Sequence, residues 1–301
     1  MMKEIVINGN QIMNIDFEMY GESFIKYLDV DIKTLKSYEA GINNFMEYLK
    51  EHNIKQPVRD DVIGYRDYLR QTYCSNTVNS YMTAIRALFK YLKIHKIYDN
   101  LAEDVKGAKY STTPKKEVLS LEQMKEIYNS LTDVRERALF GLMISTGVRV
   151  WEVSNALIED IKYHNGEVVL FILAKKRDSK CEYVKLSYQV LDDIKKYIGN
   201  RTSGYIFTST SNNSLGDGLS TTSLRKLIKK IFKRFGIDKD TVSCHSLRRS
   251  FAVVSYETGS SIYDIQQVLH HANINTTTRY LKQVDRDKNK TELRVSNAIF
   301  N

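Results

Sequence analysis

A chain of 301 residues with 42% hydrophobic content is long enough for one large or two ordinary domains with a buried core, which excludes disordered and fibrous classes. Its 45 basic and 36 acidic residues leave a net charge of +9, and 28 of the basic against 20 of the acidic ones fall in residues 121–301. That excess points to a polyanionic partner without separating nucleic acid from an anionic membrane surface.

In chain order, Met1-Met2-Lys3-Glu4 opens without an apolar signal core, and apolar stretches such as Leu139 to Ile144 are far too short to span a bilayer. The expectation is a soluble, cytoplasmic protein. With only two prolines to interrupt it, the chain should be mostly helical. Between Asp16 and Lys106 apolar residues recur at helical spacing: Phe24, Tyr27 and Leu28; Ile42, Phe45 and Leu49; Tyr65, Tyr68 and Leu69; Tyr81, Ile85, Leu88 and Leu92. Four or five amphipathic helices follow, with Ser75 as the expected N-cap of the fourth. Residues 1–110 therefore form a helical domain. A linker over 111–119 contains Pro114 and no apolar period, and a second domain runs over 120–301, opening on the Ser120-Leu121-Glu122-Gln123 capping box.

In that second domain, 134–146 reads as a buried helix, Gly147 as its left-handed terminator, and Val148 to Leu157 as the next helix. Glu167 to Leu173, a polar turn at Lys175 to Lys180, and Glu182 to Leu186 read as a β-hairpin, the one clear sheet signal. Helices resume at about 188–198, 220–235, 246–258 and 261–270, and a last helical stretch runs from about Asp285 to Phe300. The fold class is thus mainly α with a small antiparallel sheet. Cys74, Cys181 and Cys244 are scattered, with no C-x-x-C pair, so neither a disulfide framework nor a thiolate zinc site is expected.

Two arginine-centred groups carry the chemistry. In His245-Ser246-Leu247-Arg248 a spacing of three puts imidazole and guanidinium on one side of a helix. In Thr146-Gly147-Val148-Arg149-Val150-Trp151-Glu152 an arginine follows a glycine break at a helix start, where the helix dipole favours an anion; a salt bridge from Arg149 to Glu152 is the other reading.

With these residues the chain resembles the tyrosine recombinase family, in its phage integrase and Xer-like branch. Arg149 matches that family's first arginine in Thr-Gly-x-Arg-x-x-Glu. His245 and Arg248 match its His-x-x-Arg box, and His271 and Tyr280 its closing His and Tyr, nine residues apart within Gln266 to Tyr280. Two positions depart from the pattern. His270 stands where the family has glycine, so a side chain must accept left-handed or similarly unusual backbone. The hairpin turn reads Ala174-Lys175-Lys176-Arg177-Asp178-Ser179-Lys180 and is longer than the family's; Lys175 is the best match to its catalytic lysine, with Lys176 and Lys180 as alternatives.

The resemblance implies a two-domain C-shaped clamp on double-stranded DNA core sites, with a SAM-like core-binding domain before an α+β catalytic domain. It implies a metal-independent enzyme, without cofactor, that cuts and rejoins DNA through a 3′-phosphotyrosyl link. Tyr280 would be the nucleophile, Arg149 and Arg248 the phosphate clamp, Lys175 the acid for the leaving oxygen, and His245 and His271 the proton and phosphate partners, with Glu152 orienting His245 or Arg149. It also implies a homotetramer, or assembly with a related recombinase, on two sites, with residues 285–301 exchanged between subunits. The short stretch before the first helix leans toward a core-site recombinase without an arm-binding domain. A type IB topoisomerase and a non-catalytic DNA-binding regulator are the competing expectations.

Overall fold

The computed structural model describes residues 17–109, 117–173, 179–211, 215–278, 280–281 and 291–300. The chain divides into two compact units, residues 1–112 and 113–301.

In the first unit the helical spacing becomes α1 (Phe17–Tyr27), α2 (Ile32–Glu51), α3 (Arg59–Thr72) and α4 (Ser75–Ile94). Asp31 caps α2 by accepting from the Thr34 amide at 2.9 Å, which satisfies a donor that has no partner inside the helix. The cap of α4 is Cys74, one residue before the expected Ser75, and its backbone is extended while Ser75 is already helical. No side-chain bond caps this end; the Cys74 thiol instead meets the Thr77 hydroxyl at 3.4 Å. The apolar faces bury Phe45, Tyr65, Leu69, Ile85, Leu88 and Phe89 in one core. Tyr65 keeps its hydroxyl bonded there, donating to Asn44 Oδ1 at 3.0 Å, as a buried phenol requires. After α4 the chain returns along the unit, held by Arg86 on the Val105 carbonyl and Arg70 on the Gly107 carbonyl.

The second unit begins at α5 (Leu121–Ser130), whose Ser120–Gln123 capping box forms in both directions. Then α6 (Val134–Thr146) is buried on all sides over Ala138 to Met143, its continuous uncharged run. It ends at Gly147 with φ 64°, and α7 (Val150–Ser154) follows. This next helix is shorter than the expected Val148 to Leu157. Beyond Ser154 the backbone is taken by another strand of chain: Ile158 N donates to Gly204 O at 2.8 Å and Ile206 N to Ala156 O at 2.9 Å.

The hairpin is present as β2 (Glu167–Ile172) and β3 (Glu182–Lys185), with Ile172 opposite Glu182. A strand that the alternation pattern does not announce, β1 (Ile161–His164), pairs antiparallel with β2, giving the order β1-β2-β3. Its connection, Asn165-Gly166, has positive φ at both residues, the geometry that a two-residue hairpin turn needs. Next come α8 (Tyr188–Ile198), α9 (Thr221–Arg234), α10 (Cys244–Glu257) and α11 (Ile262–Val268). Residues 274–278 and 280–281 are helical, here α12, an element absent from the sequence-based expectation, and α13 (Thr291–Phe300) is the last described helix.

One core joins α6, the sheet, α8 and α9 through Leu139, Phe140, Leu170, Ile194 and Phe232. A smaller one joins α10, α11 and α12 through Val253, Ile265, Leu269, Tyr280 and Leu281. Among the described residues no helix is long and apolar enough to cross a membrane.

Candidate active site

A cleft of about 1180 Å³ opens in the second unit where the ends of α6 and α10, strand β3, and the α11–α12 turn converge. Arg149, His245, Arg248, His271 and Tyr280, spread over 132 residues of sequence, all line it.

Arg149 is the N-cap of α7. Its amide donates to Glu152 Oε2 at 2.6 Å and its Nη1 to Glu152 Oε1 at 2.7 Å. Glu152 is fully buried while the Arg149 side chain is 30% exposed, so the carboxylate grips the arginine from inside and leaves the rest of the guanidinium to the cleft. The salt bridge from Arg149 to Glu152, one of the two sequence readings of this pair, is therefore formed. Glu152 is placed on Arg149 rather than on His245.

Arg248 is only 2% exposed. Its Nη1 donates to the Gly147 carbonyl at 2.6 Å and its Nη2 to the Leu269 carbonyl; its Nε has no partner among the described residues. Each bond uses one N–H of a five-donor fork, so these two bonds do not saturate the guanidinium. Burial, then repulsion from Arg149, pushes its pKa down to about 10, with Glu152 and Tyr280 pulling the other way. It remains a cation at neutral pH.

One turn before Arg248, the exposed His245 shares a 2.9 Å hydrogen bond between its Nε2 and the Tyr280 hydroxyl. The Tyr280 ring lies between two imidazoles, its centroid 5.8 Å from that of His245 and 5.7 Å from that of His271. His271 is buried, with its Nδ1 2.8 Å from the hydroxyl of the fully buried Thr277. Burial and the charges of Arg248 and Arg149 push its pKa down to about 3, so the ring is neutral under ordinary conditions.

His270 has φ 48°, the left-handed backbone expected of it. Lys180 is turned to other partners, the Asp160 carboxylate and, at 2.9 Å, the Asn155 carbonyl. Lys175 and Lys176 lie outside the described residues. Among the described residues no cluster of three His, Cys, Asp or Glu side chains has the arrangement of a metal site.

Sequence reasoning missed the supports. The Gly147 and Leu269 carbonyls anchor Arg248, Thr277 orients His271, and Glu182 of β3 meets His270, its Oε2 2.9 Å from Nδ1. Of these, only Thr277 carried a local signal, six residues after the histidine that it holds.

The family model described as "Phage integrase family" matches residues 117–286, and "Phage integrase, N-terminal SAM-like domain" matches residues 22–96. Tyrosine recombinase XerA of Pyrococcus horikoshii is 32% identical over 166 residues, 54% of this chain and 56% of the relative, so that match spans little more than half the relative's length. Tyrosine recombinase XerD of Listeria monocytogenes is 27% identical over 282 residues, 86% of this chain and 92% of the relative. Among solved structures, the XerH site-specific recombinase in its post-cleavage complex with a palindromic difH substrate has a TM-score of 0.70 at 18% identity, covering 90% of this chain and 84% of that one. A lambda integrase tetramer bound to a Holliday junction has a TM-score of 0.71 at 17% identity, covering 89% and 77%. At such identities these two structures establish a shared fold.

Proposed function

We propose, for a chain that belongs to the phage integrase family, that it is a site-specific tyrosine recombinase in which Tyr280 attacks a DNA phosphodiester and the cleft holds the reacting phosphate. The observation that carries this is the 2.9 Å bond between the Tyr280 hydroxyl and His245 Nε2, in a cleft that also presents Arg149 and Arg248.

As the phenolic oxygen bonds to phosphorus, its proton passes to His245 Nε2, which is already within hydrogen-bond reach. The bond to the 5′ oxygen breaks, leaving a 3′-phosphotyrosyl link and a 5′ hydroxyl once that oxygen gains a proton. Because the link keeps the energy of the broken ester, rejoining by the reverse attack needs no nucleotide cofactor. Negative charge building on the non-bridging oxygens is met by two guanidinium forks held in advance, Arg149 by Glu152 and Arg248 by two carbonyls. The Thr277 hydroxyl lies 2.8 Å from Nδ1, and in the tautomer where it donates there, neutral His271 carries its proton on Nε2 and donates it to one of those oxygens. The proton for the 5′ oxygen comes from the hairpin. Lys180 is engaged by Asp160 and Asn155, and we assign the task to Lys175.

The substrate is double-stranded DNA carrying core sites, and the working assembly is a tetramer on two such sites. Exposed Val295 and Ile299, four residues apart on one side of α13, supply an apolar patch that a neighbouring subunit would take up.

Incubation with a nicked suicide duplex tests the reading. Wild-type protein should accumulate a covalent adduct through Tyr280, and Tyr280→Phe should bind the duplex without forming one. A wild-type protein that binds specific DNA yet forms no adduct would make the chain a non-catalytic regulator instead.

A further inference from the structure

Glu182 is the one acidic side chain among the described residues that line the cleft. A carboxylate on the wall of a site that receives a phosphate has two costs: it repels the anion, and it competes for the arginine donors that the anion needs. Glu182 is bonded to His270, with its Oε2 2.9 Å from the imidazole Nδ1. The imidazole is 13% exposed and the carboxylate 37%, so the histidine is the more buried partner and the acid the one nearer solvent.

His270 occupies an uncommon conformation to make this contact. Its φ is 48°, which a side-chain-bearing residue adopts at a cost that glycine escapes. The backbone on either side is tied to the same machinery: the Leu269 carbonyl receives Arg248, and the His271 carbonyl receives Gln266 Nε2. The charges of Glu182, Glu152, Arg248 and Arg149 all reach the His270 ring. Burial lowers its pKa and Glu182 opposes that shift; since an ionised carboxylate only accepts, the bond is Nδ1–H donating to its Oε2.

Resting on the reading that the cleft receives a DNA phosphate, we propose that His270 is a positioning residue: it holds the Glu182 carboxylate on the 269–271 turn and so keeps it from pairing with Arg149 and Arg248 in place of the phosphate. It acts on substrate binding through Glu182 and takes no part in bond making.

The test compares wild type, His270→Gly, Glu182→Gln and the double variant for equilibrium binding to a core-site duplex and for adduct formation on the suicide substrate. Glycine accepts the positive φ, so His270→Gly should fold with an unchanged melting temperature. It should bind about fivefold more weakly, the worth of about one partly exposed hydrogen bond. Adduct formation should slow by the same factor at limiting DNA and reach the wild-type rate at saturation, a change in KM and not in kcat. Glu182→Gln should bind at least as tightly as wild type, and adding it to His270→Gly should restore wild-type affinity. Wild-type affinity in His270→Gly, or a double variant as weak as His270→Gly, would overturn the proposal. The four affinities decide it whether or not chemistry occurs, whereas absence of a wild-type adduct bears on the proposed function alone.

Discussion

Gly147 joins stability and activity at one backbone position. Its φ of 64° is costly for any residue with a side chain, and a Cβ built on it would lie 2.6 Å from Phe251 Cδ1 and 2.7 Å from Leu269 Cδ2. For Gly147→Ala, the left-handed backbone costs about 1–2 kcal/mol, and relieving two contacts of that kind in a packed core costs about 1–3 kcal/mol more. A loss of about 2–5 kcal/mol follows. Gly166 is the control: its φ is 84°, but a Cβ there would meet nothing within 4 Å, so Gly166→Ala carries only the backbone cost of about 1–2 kcal/mol. Urea unfolding followed by fluorescence isolates the second unit, because the chain's one tryptophan, Trp151, lies in α7 of that unit. Since the Gly147 carbonyl anchors Arg248 and the clashing Leu269 supplies its other anchor, adduct formation should fall as well, even under conditions where the variant is fully folded. Equal destabilisation by the two substitutions would refute the steric argument. Full activity of folded Gly147→Ala would refute the role of its carbonyl in placing the arginine.

Arg248→Lys keeps the charge but loses the fork that reaches two carbonyls and the phosphate together, so single-turnover adduct formation should drop about 10²- to 10³-fold with a much smaller change in DNA affinity. His271 links stability to acid. The unfolded chain takes up its proton near pH 6.5 but the folded protein does not until about pH 3, so its contribution is fully present above pH 6.5 and is lost as pH falls toward 3. In urea titrations, His271→Asn should flatten the slope of stability against pH across that window, and an unchanged slope would contradict the burial argument. Because two guanidinium groups supply the charge that the phosphate needs, adduct formation should proceed in excess chelator; a strict requirement for magnesium would count against the mechanism. Deleting residues 286–301 should weaken pairing of two DNA sites in a gel assay more than binding to one site, and equal loss of both would remove the case for tail exchange.

Local features of the sequence announce the elements that interactions within a few residues decide. The Ser120–Gln123 capping box, the span of α6, the positive φ of Gly147 and the strands of the hairpin all fall where the pattern puts them. The Asn165-Gly166 turn was equally local, yet the short polar β1 before it lacks the alternation that would have drawn attention to it. The truncation of α7 was not readable, because bonds to residues 204–206 displace its last helical turn, nor was the α12 helix that holds Tyr280 against Leu269.

The residue types of the cleft were legible through their resemblance to a known pattern, but how they are held was not. Arg248 hangs on carbonyls 101 and 21 residues away, and Glu182 and His270 meet from elements that nothing in their own neighbourhoods pairs. Lys180 shows the same limit from the other side: it stood as an alternative to Lys175 in the turn, and only packing brought Asp160 and the Asn155 carbonyl within its reach. Caps and turns depend on hydrogen bonds spanning a few residues, so the sequence by itself determines them. The precise burial of an arginine, and the partner of an acid beside it, depend on which distant surfaces pack together, and that was decided by the tertiary structure alone.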